Sequence, residues 1–210
     1  MIGLPQFLQP RPRARIFFLV ALCVFGLAVA PALRAQDLTV DLDPAATKIN
    51  FMLSATLHNV HGTFKLKRGR IHFDPSTGNM GGAIVVDATS GDTDNKSRDS
   101  KMHGEVLESK KFPEIVFTPK SVKGPLVQML NRQKPAQFEV SGSFRLHGQD
   151  HDATIAMYVQ PGGAGEFDIS AQFPVPYAAW GLKNPSTLVL HVGDTVNLDV
   201  RTTGKIVVSP

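Results

Sequence analysis

Along most of this chain apolar and polar residues alternate one by one, and that period of two constrains the fold more than any other feature. In "FEVSGSFRLHGQDHDATIAMYV", Phe138, Val140, Phe144 and Leu146 fall on one parity, while Glu139, Ser141, Ser143, Arg145 and His147 fall on the other. Successive strand side chains point to opposite faces, so one face of this segment is apolar and the other is wet. The turn-forming "HGQDHD", His147 to Asp152, is followed by a second alternation through Ile155, Met157 and Val159, which is the pattern of an antiparallel hairpin.

The same rhythm marks ten candidate strands: Leu38 to Leu42, Lys48 to Ser54, Lys65 to Phe73, Ala83 to Ala88, Glu114 to Thr118, Phe138 to His147, Ala153 to Gln160, Glu166 to Phe173, Thr187 to Val192 and Thr195 to Arg201. Breakers such as "DPAAT", "DPSTG", "PGGAG", "KNPS" and "VGD" separate them at all-β spacing. Each strand offers a single apolar face: Ile49, Phe51 and Leu53 share a side, as do Ile71 and Phe73, Leu188 and Leu190, and Val196, Leu198 and Val200. A parallel sheet covered by helices on both faces would need continuous apolar runs, so the expectation is an antiparallel sheet closed on itself or folded into two layers. The segment Gly91 to Phe112 lacks alternation and predicts one short α-helix, capped by Asp94 or Asn95, limited by Gly104, with a partial apolar stripe of Met102, Val106 and Leu107.

The first 35 residues read differently. Arg11, Arg13 and Arg15 precede the uncharged run Ile16 to Ala30, and small residues follow that suit cleavage after Ala32 or Ala35. This is the pattern of a secretory signal peptide; an uncleaved anchor would call for about 20 apolar residues. The expected organisation is therefore a signal peptide over residues 1–35 and one domain over residues 36–210, periplasmic or secreted, with no stable membrane insertion after cleavage. Cleavage leaves 18 of the 22 basic residues to face 18 acidic ones, which removes the electrostatic case for nucleic acid. It also removes Cys23, the only cysteine, so the exported domain holds together without disulfides.

Candidate chemistry is sparse. His58 and His61 lie three apart, and His147 and His151 flank a hairpin tip beside Asp150 and Asp152. Neither group supplies three metal ligands at a recognised spacing, and solvated or loop-bonded histidines explain them more simply. Arg98 and Asp99 form a neighbouring guanidinium and carboxylate that either fix a helix to a barrel rim or face a polar ligand head. There is no Gly-x-Ser-x-Gly, no phosphate-binding glycine loop and no activated nucleophile, so neither an enzyme nor a cofactor is expected. The phenylalanines beyond residue 35 lie mostly on inward parities. Core packing accounts for them, and so does an apolar ligand cavity, since a barrel of this many strands encloses room for a small ligand.

Seven stretches, in order, resemble the YceI-like, polyisoprenoid-binding family: Ile49 to Phe51 after "DPAAT", then "HGTF", "GRIHFDPSTG", "VVDATSGDT", "RDSKMHG", "KFPEIVFTPKSV" and "VSGSFRLHG". The closing "VGDTVNLDV" is also similar to that family's last strands, so the resemblance spans the domain. It departs at "VPYAAWGLKNPST", where Tyr177, Trp180 and Pro185 replace the family's usual Arg-containing segment and Trp180 would plug or line one end. The resemblance implies a lipocalin-like antiparallel β-barrel with one short α-helix that holds an isoprenoid-type lipid in its lumen. Parity and size then nominate Phe51, Phe73, Phe117, Phe144, Met157, Phe167 and Phe173 as lumen residues, with Arg98 and Asp99 at the rim. A homodimer is compatible with this reading. The rivals are a filled barrel acting as a protein-interaction or stress-response module, and a His-dependent metal enzyme.

Overall fold

The computed structural model describes residues 38–207, and the expected signal peptide lies outside them. Nine strands form one antiparallel sheet: β1 (Leu38–Leu42), β2 (Lys48–Ala55), β3 (Val60–Phe73), β4 (Met80–Asp92), β5 (Glu114–Lys123), β6 (Ala136–Leu146), β7 (Gln149–Pro161), β8 (Glu166–Val175) and β9 (Val192–Val207). The hydrogen-bonded ladder runs β3-β2-β9-β8-β7-β6-β5-β4 and returns to β3, so the sheet has closed into a barrel. Strand β1 adds no ninth position. It pairs with β3 at Leu38↔Phe73 and with β9 at Val40↔Ile206, in the slot that β2 occupies further along, where Ile49 pairs with Phe64 and Val200. The "DPAAT" breaker therefore interrupts one long strand and does not reverse the chain, and the architecture is an eight-position, lipocalin-like barrel.

One end of the barrel carries the β2–β3 tip, the β4–β5 connection, the β6–β7 turn and the β8–β9 loop; the other carries the β3–β4 and β7–β8 turns. The β6–β7 hairpin closes in two residues, His147 and Gly148, with φ of 53° and 77°. Two consecutive left-handed residues give the turn whose twist matches antiparallel strands, and glycine takes this conformation without strain. His147 is held there by Glu108 and by the Phe112 ring, 4.3 Å away between centroids.

Three expectations are corrected. The strand predicted at Thr187 to Val192 does not form: the amide of Thr187 donates to the carbonyl of Leu190 (2.8 Å), and Leu188 and Val189 project into solvent. Alternation needs a paired neighbour, and the barrel position beside β2 is taken by β9, which starts only at Val192. Asn184 ties down the loop instead, its side chain donating to the carbonyl of Val192 (3.0 Å) and to Asp194 (2.6 Å). The second correction concerns Pro119, which does not end β5; the strand continues through a bulge between Pro119 and Ser121, where a missing N–H is tolerated. The third is the helix count. The expected helix is present as α1 (Lys96–Lys101), capped by Asn95, whose side chain accepts from the amide of Arg98 (3.0 Å), and it continues into one wider π-type turn over Met102–Val106. A second helix, α2 (Leu126–Arg132), was not expected; Met129 from it packs with Phe138, Val159 and Phe167 and plugs the barrel at the end opposite α1.

Candidate functional site

Inward parity places an apolar side chain at alternate positions of every strand, yet the barrel is not filled. Leu53, Met157, Phe173, Val196, Leu198 and Val200 all face inward and all stay only half-buried, because they border an internal cavity of about 600 Å³. That size falls within the ~300–1,000 Å³ range of pockets that enclose small ligands. Along β9 the lining runs from Val192 to Thr202, which is roughly 30 Å of strand at the usual rise per residue. The cavity is long and greasy.

Its closed end lies at Leu42, Thr47 and Thr202, above the plug formed by α2. Its mouth lies between the β2–β3 tip (Leu57, His58), α1 (Asn95, Ser97, Arg98, Lys101) and the β8–β9 loop (Leu182, Pro185, Leu190). The hydroxyls that line the lumen below the mouth are already bonded within the protein. Thr47 and Thr202 share a 2.6 Å hydrogen bond, and Tyr177 donates to the carbonyl of Gly193 at 2.7 Å. Burial, followed by the nearby Asp194, pushes the Tyr177 phenol up to about 12, so it stays a neutral donor. A lumen whose polar atoms are satisfied in this way offers no partner to a polar ligand and suits an apolar chain.

Five of the seven nominated lumen residues, Phe51, Phe117, Phe144, Met157 and Phe173, border the cavity. The Phe51 ring lies against Gly62 on the facing strand, where a Cβ would collide with it, which gives the glycine of "HGTF" its packing role. Phe144 gathers Phe117 (6.3 Å between centroids), Phe173 (6.4 Å) and Trp180 (5.4 Å) into an aromatic cluster near the mouth end. Phe73 and Phe167 are corrected: neither lines the cavity. Phe73 packs with Val40, Leu42, Ile49 and Leu66, and Phe167 with Met129 under α2, so both belong to the solid closed end. Trp180 does not border the cavity; it packs on Phe144 at the mouth end and stacks on His151 with ring centroids 4.4 Å apart.

Arg98 and Asp99 do not pair with each other. Both grip Thr93, the buried residue just past β4: Asp99 accepts from its amide (3.0 Å) and its hydroxyl (2.6 Å), while Arg98 donates from Nε to the hydroxyl (2.8 Å) and from a terminal nitrogen to the carbonyl (2.6 Å). Asp99 thus anchors α1 to the barrel. Arg98 does the same and also borders the cavity, and among the described residues it forms no salt bridge. The histidines are dispersed: His58 and His61 are exposed, His147 meets Glu108, and His151 meets Trp180. Among the described residues no three His, Cys, Asp or Glu side chains gather to hold a metal.

Sequence reasoning passed over Leu198 and Val196, which were on the inward parity but small beside the phenylalanines. It also passed over Tyr177 and Leu182, which come from an aperiodic loop with no pattern to read.

A YceI-like domain model matches residues 41–204, nearly the whole barrel. The chain belongs to the YceI-like family. Among solved structures, the YceI-like barrel resembles Burkholderia cenocepacia BcnA (TM-score 0.61, 17% identity, covering 78% of this chain and 99% of that one). It resembles equally a polyisoprenoid binding domain from Saccharophagus degradans (TM-score 0.61, 18% identity, 80% and 98% coverage). A Campylobacter jejuni YCEI protein is similar at a TM-score of 0.52, with 19% identity over 70% of this chain and 85% of that one. At these identities the likeness establishes the shared fold. No curated protein matches the chain.

Proposed function

We propose that this YceI-like protein is a non-enzymatic carrier that holds a polyisoprenoid or similarly long amphiphile in its barrel, for transport, storage or sequestration. The observation that carries the reading is the cavity: about 600 Å³, apolar along its length, with the hydroxyls below its mouth already bonded and its mouth at α1. Each methylene moved from water into such a lumen contributes about 0.8 kcal/mol, so a long tail is held without any charged clamp. The tail enters first and runs toward Thr47 and Thr202, leaving the polar head at α1, where Arg98 and Lys101 are the cations that border the mouth. The similarity to a domain described as polyisoprenoid binding supports the isoprenoid class. The basic, apolar, small-residue sequence of residues 1–35 supports export, to the periplasm or beyond.

The test is to purify the protein from the compartment in which its own cells place it, extract it with organic solvent and run mass spectrometry on the extract. One isoprenoid-type lipid in stoichiometric amount is the expected result. An extract still empty after lipid supplementation overturns the proposal.

A further inference from the structure

The three most exposed large apolar side chains among the described residues all sit at the cavity mouth. Leu57, at the β2–β3 tip, is 80% exposed; Leu188 and Val189, in the β8–β9 loop, are 101% and 88% exposed. The two segments are tied together. The amide of Thr56 donates to the carbonyl of His191 (3.0 Å), the amide of His191 donates to the Thr56 hydroxyl (3.0 Å), and Ala55 pairs with Val192. Leu57 and Leu190 also border the cavity, so the exposed apolar side chains of the lip adjoin the lumen.

We propose that the lip is a docking surface for a lipid bilayer, through which the barrel loads and unloads its ligand. The inference rests on the lipid-carrier reading. A ligand that fits the lumen cannot travel through water as a free molecule, because each methylene returned to water lowers its partition about fourfold. Exchange is fast only where the mouth meets another apolar phase. Three side chains amount to a few hundred Å² at most, far below the ~800 Å² per partner of a stable protein interface, so a second copy or a folded partner is a poor match. A shallow insertion into the headgroup boundary asks for no more than this.

The charges around the lip agree with apolar insertion. Lys96, Arg98 and Lys101 on α1 stand among Asp94, Asp99 and Glu105, and Lys183 pairs with Glu105 at 2.5 Å. With both signs interspersed, the surface has no strong field to draw it to anionic lipid. Docking therefore tolerates raised salt and works on uncharged bilayers.

The experiment uses protein purified as its cells process it, together with phosphatidylcholine vesicles carrying a pyrene-labelled C20 isoprenoid alcohol. Leu188→Asp and Val189→Asp are combined in one variant, since neither side chain lines the cavity and both are fully exposed. The expected result is that transfer of the probe from vesicles slows about tenfold or more, while thermal stability and the amount of the same probe bound at equilibrium from detergent micelles match the unmodified protein. Equal transfer rates for a folded variant overturn the docking proposal. So does light scattering that shows a dimer abolished by the double substitution, which assigns the lip to a second copy. Failure of the unmodified protein to take the probe even from micelles defeats the carrier reading itself, and is distinguishable from either result.

Discussion

Placing one carboxylate in the middle of the lumen turns the proposed carrier into a pH-dependent one. Leu198 is the position for it: it faces the cavity from β9, pairs with Phe51 of β2 on one side and Phe173 of β8 on the other, and is only half-buried. In the unoccupied barrel water can reach an aspartate there, so Leu198→Asp is expected to fold. Phe144→Asp would not be informative, because Phe144 is buried against Phe117, Phe173 and Trp180. When a ligand tail fills the lumen, the carboxylate loses its water and the bound state favours the neutral acid. Keeping an aspartyl group of ordinary pKa, about 3.9, neutral at pH 7 costs about 4 kcal/mol, which is the ceiling on the ionisation penalty. The affinity of Leu198→Asp should therefore fall below that of Leu198→Asn by about 100- to 1,000-fold at pH 7. The asparagine carries the same loss of apolar contact and isolates the charge. Linkage fixes the sign. Occupation raises the carboxyl pKa, so the penalty is full above the raised value, shrinks about tenfold per pH unit below it, and is gone near pH 4. Trp180, the only tryptophan, lies against the lumen-facing Phe144 and reports occupation by its fluorescence in a lipid titration. Equal affinities for the two variants at pH 7, or a ratio that does not move with pH, would refute the reasoning and take Leu198 out of the ligand's path.

Phe167→Ala removes a ring from the closed end, not from the lumen, and should cost about 3–5 kcal/mol in denaturant unfolding while the surviving folded protein binds lipid with nearly unchanged affinity; a large affinity loss without destabilisation would restore it to the binding surface. Gly148→Ala puts a Cβ at a φ of 77° and within 2.6 Å of a Phe112 ring carbon. It should lower stability by about 1–3 kcal/mol, and an unchanged unfolding midpoint would show that the turn relaxes freely. In acid, hydrogen bonds from Ser76 and Thr77 hold the Asp74 carboxyl below its ordinary range, that from Thr89 holds Asp87, and those from Arg145 hold Asp150. A depressed folded-state pKa contributes stability that is present above the unfolded value and lost as pH falls through the folded one. Melting temperatures should decline below about pH 4, with Asp74→Asn flattening that limb slightly because the group is exposed; an identical profile for the variant would exclude Asp74 as a contributor.

Much of this architecture is local information. The alternation at Phe138 to Leu146 and at Val196 to Val200 states which side chains face inward, because the pleat alone sets direction. The turn-formers from His147 to Asp152 mark where the chain reverses, although only His147 and Gly148 make the turn and Gln149 to Asp152 already pair in β7. Asp94 and Asn95 mark a helix start, of which Asn95 is the cap. The short α2 escaped because seven residues hold too few turns for a period to declare itself, although Leu126, Met129 and Leu130 stand at helical spacing. The false strand at Thr187 to Val192 shows the converse: a period of two is necessary for a strand, but only a neighbour with free hydrogen-bonding groups makes it one.

The sequence by itself determined the all-β class, the inward face of nearly every strand and the apolar character of whatever that face meets. Only the tertiary structure decided that β1 and β2 share one slot, that α2 plugs one end, and that the remaining volume is hollow. Phe51 and Phe73 illustrate the division. Both lie on inward parities, yet one borders the cavity and the other sits in packed core, because parity specifies the face of a sheet while height along a barrel depends on register and strand stagger between segments far apart in the chain. The direction of a side chain is settled by its own residue's backbone; whether it looks at a ligand or at another side chain is settled by how the ring closes.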